Sequence, residues 1–355
     1  MTHTNTPRAM ILAAGFGTRL GALTQTRPKP MLPICGAPLV RWAVLWLRAQ
    51  GVREIVINLH HLGEQIVEEL GDGSALGVAI AYSHEEGLIL GTGGGLREAR
   101  ALLDDGRETP IVVVNGKILV DLELGPVLAA HRAREAEATM VLRPDAEGIW
   151  GGSLAADPAT GTLANFLGKL RPGATPISGL PASTDPPLRS GRYNHAIPGR
   201  LGPAMMFTGI HLIQPRFLDR VPPEGEQCIV RTAYRELFHE PRGVDVFVHE
   251  GYWWEHSTVE RYLQGIANLL DGRVRLPWAE RPVIGVDPSA IVEAGAQIDP
   301  RVFVGAGARI GAGAKIGPFA QIGAGAVVAP GVRVERAALW PGASLDQDLE
   351  ADVRM

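Results

Sequence analysis

Two basic residues stand close to a glycine-rich turn early in the chain. Arg19 follows Gly15 and Gly17, and Lys29 lies between two prolines. Backbone amides of a glycine-rich turn at the end of a strand form a concave anion site, because glycine lets the main chain come close and adopt positive φ. Arg19 and Lys29 add the positive charge that a triphosphate needs, and the prolines are expected to hold Lys29 in extended backbone. The pattern predicts a phosphate site that is neither a P-loop nor a dinucleotide fingerprint.

Charge and composition favour small-molecule chemistry. The 355 residues carry a formal net charge of -4, and their basic residues are not gathered into a run. We therefore expect no nucleic-acid or anionic-membrane partner. Cys35 and Cys228 form neither a disulfide framework nor a zinc-site spacing. Because no window reaches about 18 apolar residues and the first residues lack signal-peptide order, we expect a cytoplasmic protein.

The elements that would position these residues alternate between strands and helices. Strands are predicted at 8–14, 54–59, 78–82 and 111–114, and helices at 38–50, 62–70, 94–103 and 124–136. Such alternation predicts an α/β fold with right-handed βαβ units and a mostly parallel sheet covered on both faces.

The order of elements changes after residue 136. Further strands are predicted at 138–142, 152–156, 163–167, 204–213 and 244–249, and helices at 231–238 and 258–270. The Pro/Gly/Ser-rich segment 171–203 cannot be a regular element, and a loop of this length is usually functional or disordered.

The last part of the chain repeats every six residues. An aliphatic or aromatic residue stands at each sixth position from Val286 to Trp340, and from Val292 onward alanine or valine stands two positions before it. This period predicts a parallel β-helix over 283–345 with roughly three coils, in which the aliphatic residue points inward. Its exposed coil faces lead us to expect homo-oligomers formed through this tail.

Longer motifs share one resemblance that covers nearly the whole chain. The stretches LAAGFGTRL, RPKPMLPICGAPLV, GTGGGL, VNGKIL, FTGIHLIQP and GYWWEHSTVERYL resemble the sugar-1-phosphate nucleotidyltransferases. The tail resembles that of the mannose-1-phosphate guanylyltransferase branch, and the N-terminal half is also similar to the uridylyltransferase that acts on N-acetylmuramic acid 1-phosphate. The resemblance implies a Rossmann-like nucleotidyltransferase domain over 8–271, followed by a left-handed β-helix.

The implied reaction joins an NTP to a hexose 1-phosphate and releases pyrophosphate, with Mg²⁺ as cofactor. GTP and mannose 1-phosphate are the first expectation, and a UTP-dependent uridylyltransferase is an alternative. A second alternative is a catalytically impaired regulatory subunit that binds nucleotide sugar and docks a catalytic partner through its β-helix.

The resemblance also implies site residues. Arg19 and Lys29 take the catalytic roles at the phosphates. The implied nucleotide-binding residues are Leu12, Ala13, Ala14, Gly15, Gly17, Thr18, Glu86, Gly91 and Thr92. The implied sugar-phosphate-binding residues are Asn115, Gly116, Lys169 and Gly209.

Both expected metal positions depart from the family pattern. Lys117 and Glu255 stand where aspartates that hold Mg²⁺ are expected. Three alternatives stay open. In the first, Lys117 serves as a permanent counter-charge for phosphate while Glu255 or Asp121 holds any remaining ion. In the second, the protein binds nucleotide but turns over poorly. In the third, Lys117 points to solvent and another carboxylate replaces the metal ligand.

Several other residues favour structural roles. His60, His61 and His256 are interpreted as ordinary hydrogen-bonded histidines, and Trp253 and Trp254 as packing residues.

Overall fold

The computed structural model describes residues 6–145, 148–171 and 204–355. They form an α/β domain and a β-helix that pack against each other. Beyond Arg171, the predicted loop 171–203 lies outside the described residues. Within the described ranges, no helix has the length and apolarity needed to cross a membrane. Both cysteines are free thiols, as their spacing predicts.

The α/β domain contains fourteen of the described strands and seven of the described α-helices. Its strands are β1 (Ala9–Leu12), β2 (Pro33–Ile34), β3 (Ala37–Pro38), β4 (Glu54–Leu59), β5 (Ala79–His84), β6 (Ile111–Asn115), β7 (Ile118–Val120), β8 (Ala138–Pro144), β9 (Leu154–Asp157), β10 (Thr162–Phe166), β11 (Lys169–Leu170), β12 (Met205–Ile213), β13 (Asp245–Val248) and β14 (Trp253–Glu255). Its α-helices are α1 (Leu39–Ala49), α2 (Glu64–Leu70), α3 (Gly91–Glu98), α4 (Arg100–Leu103), α5 (Leu124–Ala133), α6 (Arg235–His239) and α7 (Val259–Leu270). Short 3₁₀ helices cover Thr18–Thr24, Lys29–Met31, Ser74–Leu76 and Pro215–Arg220, and a π-helical turn covers Val230–Tyr234.

Ten strands form one mixed sheet in the order β11-β10-β13-β8-β12-β6-β1-β4-β5, with β9 paired to β10 and β12. The predicted parallel arrangement is confirmed for β6, β1, β4 and β5, whereas β12 is antiparallel to β6 and β8. The register places Leu12 beside Asn58 and Asn115. These residues lie at the carboxyl ends of parallel strands, where ligands bind in open α/β sheets.

Strand β1 is buried on both faces. Ala9 and Ile11 pack into one hydrophobic cluster, and Met10 packs into another on the opposite side of the sheet. Successive side chains of a strand point to opposite faces, so an uninterrupted apolar run requires a covered sheet. The buried run predicted from the sequence is therefore a central strand.

Some elements differ from their predicted bounds. Helix α3 begins three residues earlier than predicted, because the amides of Gly93 and Gly94 donate to the Gln227 carbonyl at 2.7 and 3.3 Å. Strands β7 and β14 were not predicted, since runs of three residues are too short to show a period of two.

The β-helix is longer than predicted. Its strands are β15 (Gly285–Val286), β16 (Ile291–Val292), β17 (Gln297–Ile298), β18 (Phe303–Val304), β19 (Arg309–Ile310), β20 (Lys315–Ile316), β21 (Gln321–Ile322), β22 (Val327–Val328), β23 (Arg333–Glu335), β24 (Ala338–Leu339), β25 (Ser344–Leu345), β26 (Leu349–Glu350) and β27 (Val353–Arg354). They form three parallel sheets, so the solenoid contains four coils and one further strand instead of three coils.

The hexapeptide period weakens in the last coils. Gly285 pairs with Phe303 and Phe303 with Gln321, which is three hexads per coil. Val334, in contrast, pairs with Leu349, so the step between coils is shorter there. The strands beyond residue 345 therefore do not follow the six-residue period of the sequence.

A buried glutamine joins the β-helix to the hairpin formed by β2 and β3. Gln321 accepts a hydrogen bond from the Cys35 amide at 2.6 Å and donates to the Pro33 carbonyl at 3.0 Å. The Tyr262 hydroxyl donates to the same carbonyl at 2.6 Å, and the Trp340 indole donates to Tyr262 at 3.1 Å. A polar network thus crosses the interface between the two domains.

We predict that Gln321→Leu lowers the free energy of unfolding by about 1 to 3 kcal/mol, because it leaves the buried Cys35 amide without its partner. Chemical denaturation followed by fluorescence measures the change. The matched control is Gln297→Leu, an exposed glutamine that also precedes an isoleucine of the β-helix. Equal stability of the two variants would contradict the role of Gln321.

Candidate active site

Two cations pair with one carboxylate, and a third from a separate segment interacts with it electrostatically. Arg19 lies in the short helix after the glycine-rich turn, Lys29 starts the next short helix, and Lys117 follows β6. Arg19 Nη2 lies 3.5 Å from Glu255 Oε1, and Lys117 Nζ lies 3.0 Å from Glu255 Oε2. The predicted catalytic residues therefore meet both altered metal positions in one cluster, which we call the charge cluster.

The glycine-rich turn approaches Lys29 closely. Gly17 has φ +70, and a Cβ added there would lie 3.2 Å from Lys29 Cβ and 3.0 Å from Thr24 Cγ2. Glycine is thus required for both the backbone conformation and the close approach. Gly15 is not in the positive-φ region, so the prediction that it supplies such a conformation is wrong. The residue before Lys29 has extended backbone, but Lys29 itself begins a 3₁₀ turn, which also differs from the prediction.

A short antiparallel pair of strands places Lys117 beside Glu255. In the pairing of β7 with β14, Glu255 lies opposite Ile118, the residue after Lys117. His256 also anchors the backbone at Lys117, because its amide and its Nδ1 each lie 3.1 Å from the Lys117 carbonyl. The tertiary pairing therefore fixes an ion pair whose members are remote in sequence.

The cluster has strongly perturbed protonation equilibria. Burial, together with the nearby positive charges of Lys117 and Arg19, lowers the pKa of Lys29 to about 7 against the opposing effect of Glu255. Burial alone would raise the pKa of Glu255, but the Lys117 ammonium outweighs it and holds that pKa at about 2. Glu255 is thus ionised at neutral pH, and Lys29 titrates there.

A cleft of about 280 Å³ opens beside the charge cluster. It is lined by Arg19, Lys117, Met140, Trp150, Gly151, Ser153, Leu154, Leu167, Met206, Phe207, Val230, Trp253, Glu255 and Arg261. This mixture of apolar walls and a few charges suits a sugar phosphate.

Tryptophans build one wall of the cleft. The Trp150 ring makes edge contacts with Trp253 and Trp254 at centroid distances of 4.8 and 5.2 Å, and the Arg261 guanidinium lies 4.0 Å from its centre. Trp253 donates to the Thr208 carbonyl and Trp254 to the Arg261 carbonyl. The packing roles predicted for both tryptophans are confirmed, and Trp253 also lines the cleft.

A buried carboxylate connects the two segments predicted to bind nucleotide. Asn58 Nδ2 donates to Glu85 Oε1 at 2.6 Å, and Asn58 Oδ1 accepts from the Ala13 amide at 2.7 Å. Glu85 Oε2 accepts from the Leu90 amide at 2.8 Å. Glu85 thereby ties the turn after β1 to the loop that precedes α3.

The sequence prediction selected the neighbouring residue Glu86, which is exposed, whereas Glu85 is buried. Burial alternates from the end of β5 into the following loop, so that Ser83 and Glu85 are buried while His84 and Glu86 are exposed. The roles of Glu86, Gly91 and Thr92 toward a base stay predictions. Thr92 Oγ1 accepts from the Ile229 amide at 3.0 Å, and Gly91 has φ +72 at the start of α3.

The turn predicted to contact the nucleotide is buried at one end only. Ala13 and Ala14 are buried, while Gly15 and Thr18 are exposed. Leu12 accepts a hydrogen bond at its carbonyl from the Gly116 amide at 3.0 Å. The two predicted binding segments therefore adjoin at the carboxyl ends of β1 and β6.

Asn115 reaches toward β12 through a gap left by a glycine. A Cβ at Gly209, which has φ +76, would collide with the Asn115 carboxamide. The structure thus brings Asn115 and Gly209 together, as expected for residues that share a sugar-phosphate site. Lys169 is exposed on β11 and is not among the residues that line the cleft.

The two predicted metal ligands lie apart. Asp121 Oδ1 lies 3.1 Å from Nε2 of His249, and the Asp121 amide donates to the Tyr252 carbonyl. Glu255 is three residues beyond Tyr252, a separation of about 10 Å along an extended strand. In the described ranges, no group of three or more His, Cys, Asp or Glu side chains is arranged to hold a metal ion. One ion cannot bind both carboxylates in this arrangement.

His60 and His256 make hydrogen bonds as predicted, whereas the contact that the structure shows for His61 is with an aromatic ring. His60 Nδ1 lies 3.0 Å from the Glu85 carbonyl, and the Phe16 ring contacts both His60 and His61. His256 is fully buried, and burial lowers its pKa to about 4.

Comparisons with known proteins agree with this geometry. The chain is 50% identical over 116 residues to N-acetylmuramate alpha-1-phosphate uridylyltransferase of Neisseria meningitidis, a match covering 33% of this chain and 49% of that protein. It is 29% identical over 265 residues to mannose-1-phosphate guanylyltransferase of Mycobacterium tuberculosis, covering 74% of this chain and 65% of the relative. The chain thus spans about half to two thirds of the length of these curated relatives.

Solved structures share the fold. The structure of HddC from Yersinia pseudotuberculosis superposes with a TM-score of 0.52 at 20% identity, covering 73% of this chain and 97% of that one. Residues 8–169 match the nucleotidyl transferase family, and residues 302–336 match the bacterial transferase hexapeptide family of six repeats. The α/β domain is therefore similar to the nucleotidyl transferase family over residues 8–169, and the β-helix is similar to the bacterial transferase hexapeptide repeats over residues 302–336.

Proposed function

We propose that the protein is a sugar-1-phosphate nucleotidyltransferase. The main support for this proposal is the charge cluster, in which Arg19, Lys29 and Lys117 lie around Glu255 beside the cleft. In the proposed reaction, a phosphate oxygen of the sugar phosphate forms a bond to the α-phosphorus of the NTP. The bond between the α-phosphorus and the oxygen bridging to the β-phosphorus breaks, and pyrophosphate leaves with the electron pair.

The chain's residues act by position and charge. A sugar phosphate dianion is already a nucleophile, so the protein's task is to align it and to neutralise the phosphates. Arg19 and Lys29 face the triphosphate in this proposal, and Lys117 faces both substrates from the end of β6. The glycine-rich turn and the segment starting at Gly91 hold the nucleoside, while Asn115 orients the sugar.

GTP and mannose 1-phosphate are our first substrate pair. Its support is the guanylyltransferase relative, which matches 74% of this chain. UTP with an amino-sugar phosphate is the second pair, favoured by the higher identity, 50%, to the N-acetylmuramate uridylyltransferase over a shorter stretch. A regulatory subunit without turnover is a third candidate, favoured by the ion pair that occupies Glu255.

We infer self-association through the first coil of the β-helix. Among the described strands, β15, β16 and β17 each pair on one side only, which leaves an open edge. Ile284, Val286, Ile291 and Val292 expose two fifths or more of their surface at this end. A second copy would cover both features, and a different partner subunit is the alternative.

A substrate panel tests the proposed function. We expect pyrophosphate release from one NTP paired with one sugar 1-phosphate, measured by a coupled colorimetric assay with and without Mg²⁺. Arg19→Ala should reduce kcat/KM by about 10² to 10³, because it removes a cation from the charge that develops on the phosphates. The control is Arg309→Ala, an exposed arginine on the β-helix. Tight nucleotide binding without turnover for any pair would instead support the regulatory subunit.

The low pKa of Lys29 predicts a pH dependence. Below about pH 7 the free protein carries the Lys29 cation, and above it the cation is lost, so nucleotide affinity should fall by up to about tenfold per pH unit. When nucleotide binds at a pH above this pKa, the protein should take up a proton. Calorimetry in buffers that differ in their heat of ionisation measures this uptake. In Lys29→Arg the charge does not titrate, so proton uptake should disappear. Equal uptake by wild type and this variant would refute the assignment.

The network at Glu85 predicts a glycine requirement. A Cβ at Gly95 would lie 2.5 Å from Glu85 Oε1 and 2.9 Å from Asn58 Nδ2. Gly95→Ala should raise the Kd for nucleotide about tenfold, since it disrupts a buried hydrogen bond worth about 1.4 kcal/mol. Gly125→Ala in α5 is the control, because a Cβ there meets nothing within 4 Å. Unchanged affinity in both variants would contradict the prediction.

A further inference from the structure

Among the residues that the structure describes, a single carboxylate lines the cleft, and that carboxylate already forms ion pairs. Of the described residues that line the cleft, only Glu255 carries a carboxyl group. Its two oxygens face different cations, with Lys117 Nζ at 3.0 Å from Oε2 and Arg19 Nη2 at 3.5 Å from Oε1. Its side chain is 15% exposed. The free protein therefore satisfies this negative charge internally.

This donor set does not fit the Mg²⁺ that the family implies. Mg²⁺ requires oxygen ligands in near-octahedral geometry, and in many sites one or two carboxylates supply the protein's share. Here the available carboxylate has an ammonium group at hydrogen-bonding distance, which would repel a divalent cation. Asp121 cannot replace it, because it pairs with His249 at the far end of the strand pair.

The backbone holds Lys117 in a fixed place. Its carbonyl accepts from the His256 amide, with His256 Nδ1 also at 3.1 Å, and its own amide donates to the Asn115 carbonyl at 2.8 Å. The Lys117 side chain is three quarters buried. A lysine anchored in this way offers a charge that needs little reorganisation when phosphate arrives.

We propose that the Lys117 ammonium, in place of a divalent cation held by the protein, neutralises substrate phosphate in this cleft. Glu255 keeps the ammonium in position until the phosphates of the nucleotide or the sugar phosphate share it. This inference rests on the proposed function, since it assigns the charge balance of the same site. The protein contributes no ligands to a metal ion in this proposal, so its affinity for nucleotide does not depend on one.

Calorimetric binding of GTP and of UTP to the full-length protein tests the proposal, in buffer with EDTA and in buffer with Mg²⁺. For the nucleotide that binds, we expect Kd values that agree within about threefold between the two buffers. Lys117→Met should weaken binding in EDTA by about 10- to 100-fold, and Lys117→Arg should retain it. Lys315→Met is the matched control, an exposed lysine on β20 that should change nothing.

A second measurement does not involve nucleotide. Electron paramagnetic resonance titration with Mn²⁺ should show no ion bound in the cleft of the wild-type protein, and a new bound ion in Lys117→Asp. Circular dichroism spectra of all variants verify that they fold.

The outcomes separate the two proposals. If nucleotide binds to the wild type only in the presence of Mg²⁺, or if the wild type binds Mn²⁺ and loses it in Glu255→Gln, the role of Lys117 is overturned while the nucleotidyltransferase function stands. If neither nucleotide binds in either buffer, both proposals fail. Binding without metal that is equal in Lys117→Met and Lys315→Met would also overturn the role of Lys117.

Discussion

The negative charge of Glu255 has to be balanced inside the protein, and the arrangement of the cleft depends on that balance. A buried carboxylate without a partner would cost several kcal/mol, so the segments carrying Lys117 and Arg19 must meet it. The same carboxylate reduces the mutual repulsion of the three cations, one of which, Lys29, is buried. The charge cluster is therefore assembled by the fold itself, and in our proposal it is the site that receives the substrate phosphates.

The backbone around the cluster explains how three separate segments reach one point. Parallel strands β1 and β6 end side by side, which brings the glycine-rich turn next to the segment containing Lys117. The pairing of β7 with β14 then adds Glu255. The hairpin formed by β2 and β3 follows Lys29 by a few residues, and Gln321 of the β-helix binds its backbone. The β-helix thus contacts the hairpin that follows Lys29.

Much of the fold could be predicted because its signals are local. The buried run of β1, the strand β4 and the alternation of strands with helices follow from apolar periodicity, which neighbouring residues determine. Predictions failed where a distant partner sets the structure. Helix α3 starts early because Gln227 accepts its first amides, and the last coils of the β-helix depart from six residues per strand because their pairing steps shorten.

In the candidate site, too, some features follow from the sequence and others only from the folded structure. The sequence by itself determined that Arg19 and Lys29 follow a glycine-rich turn, because residue identity and spacing along the chain carry that information. Its resemblance to the sugar-1-phosphate nucleotidyltransferases implied that Lys117 and Glu255 stand where aspartates are expected. Only the tertiary structure decided that Lys117 and Glu255 form an ion pair, that Asp121 lies elsewhere, and that Glu85 is the buried carboxylate instead of Glu86. The physical reason is that burial and charge pairing depend on which remote segments meet in the folded chain, and spacing along the sequence does not encode that meeting.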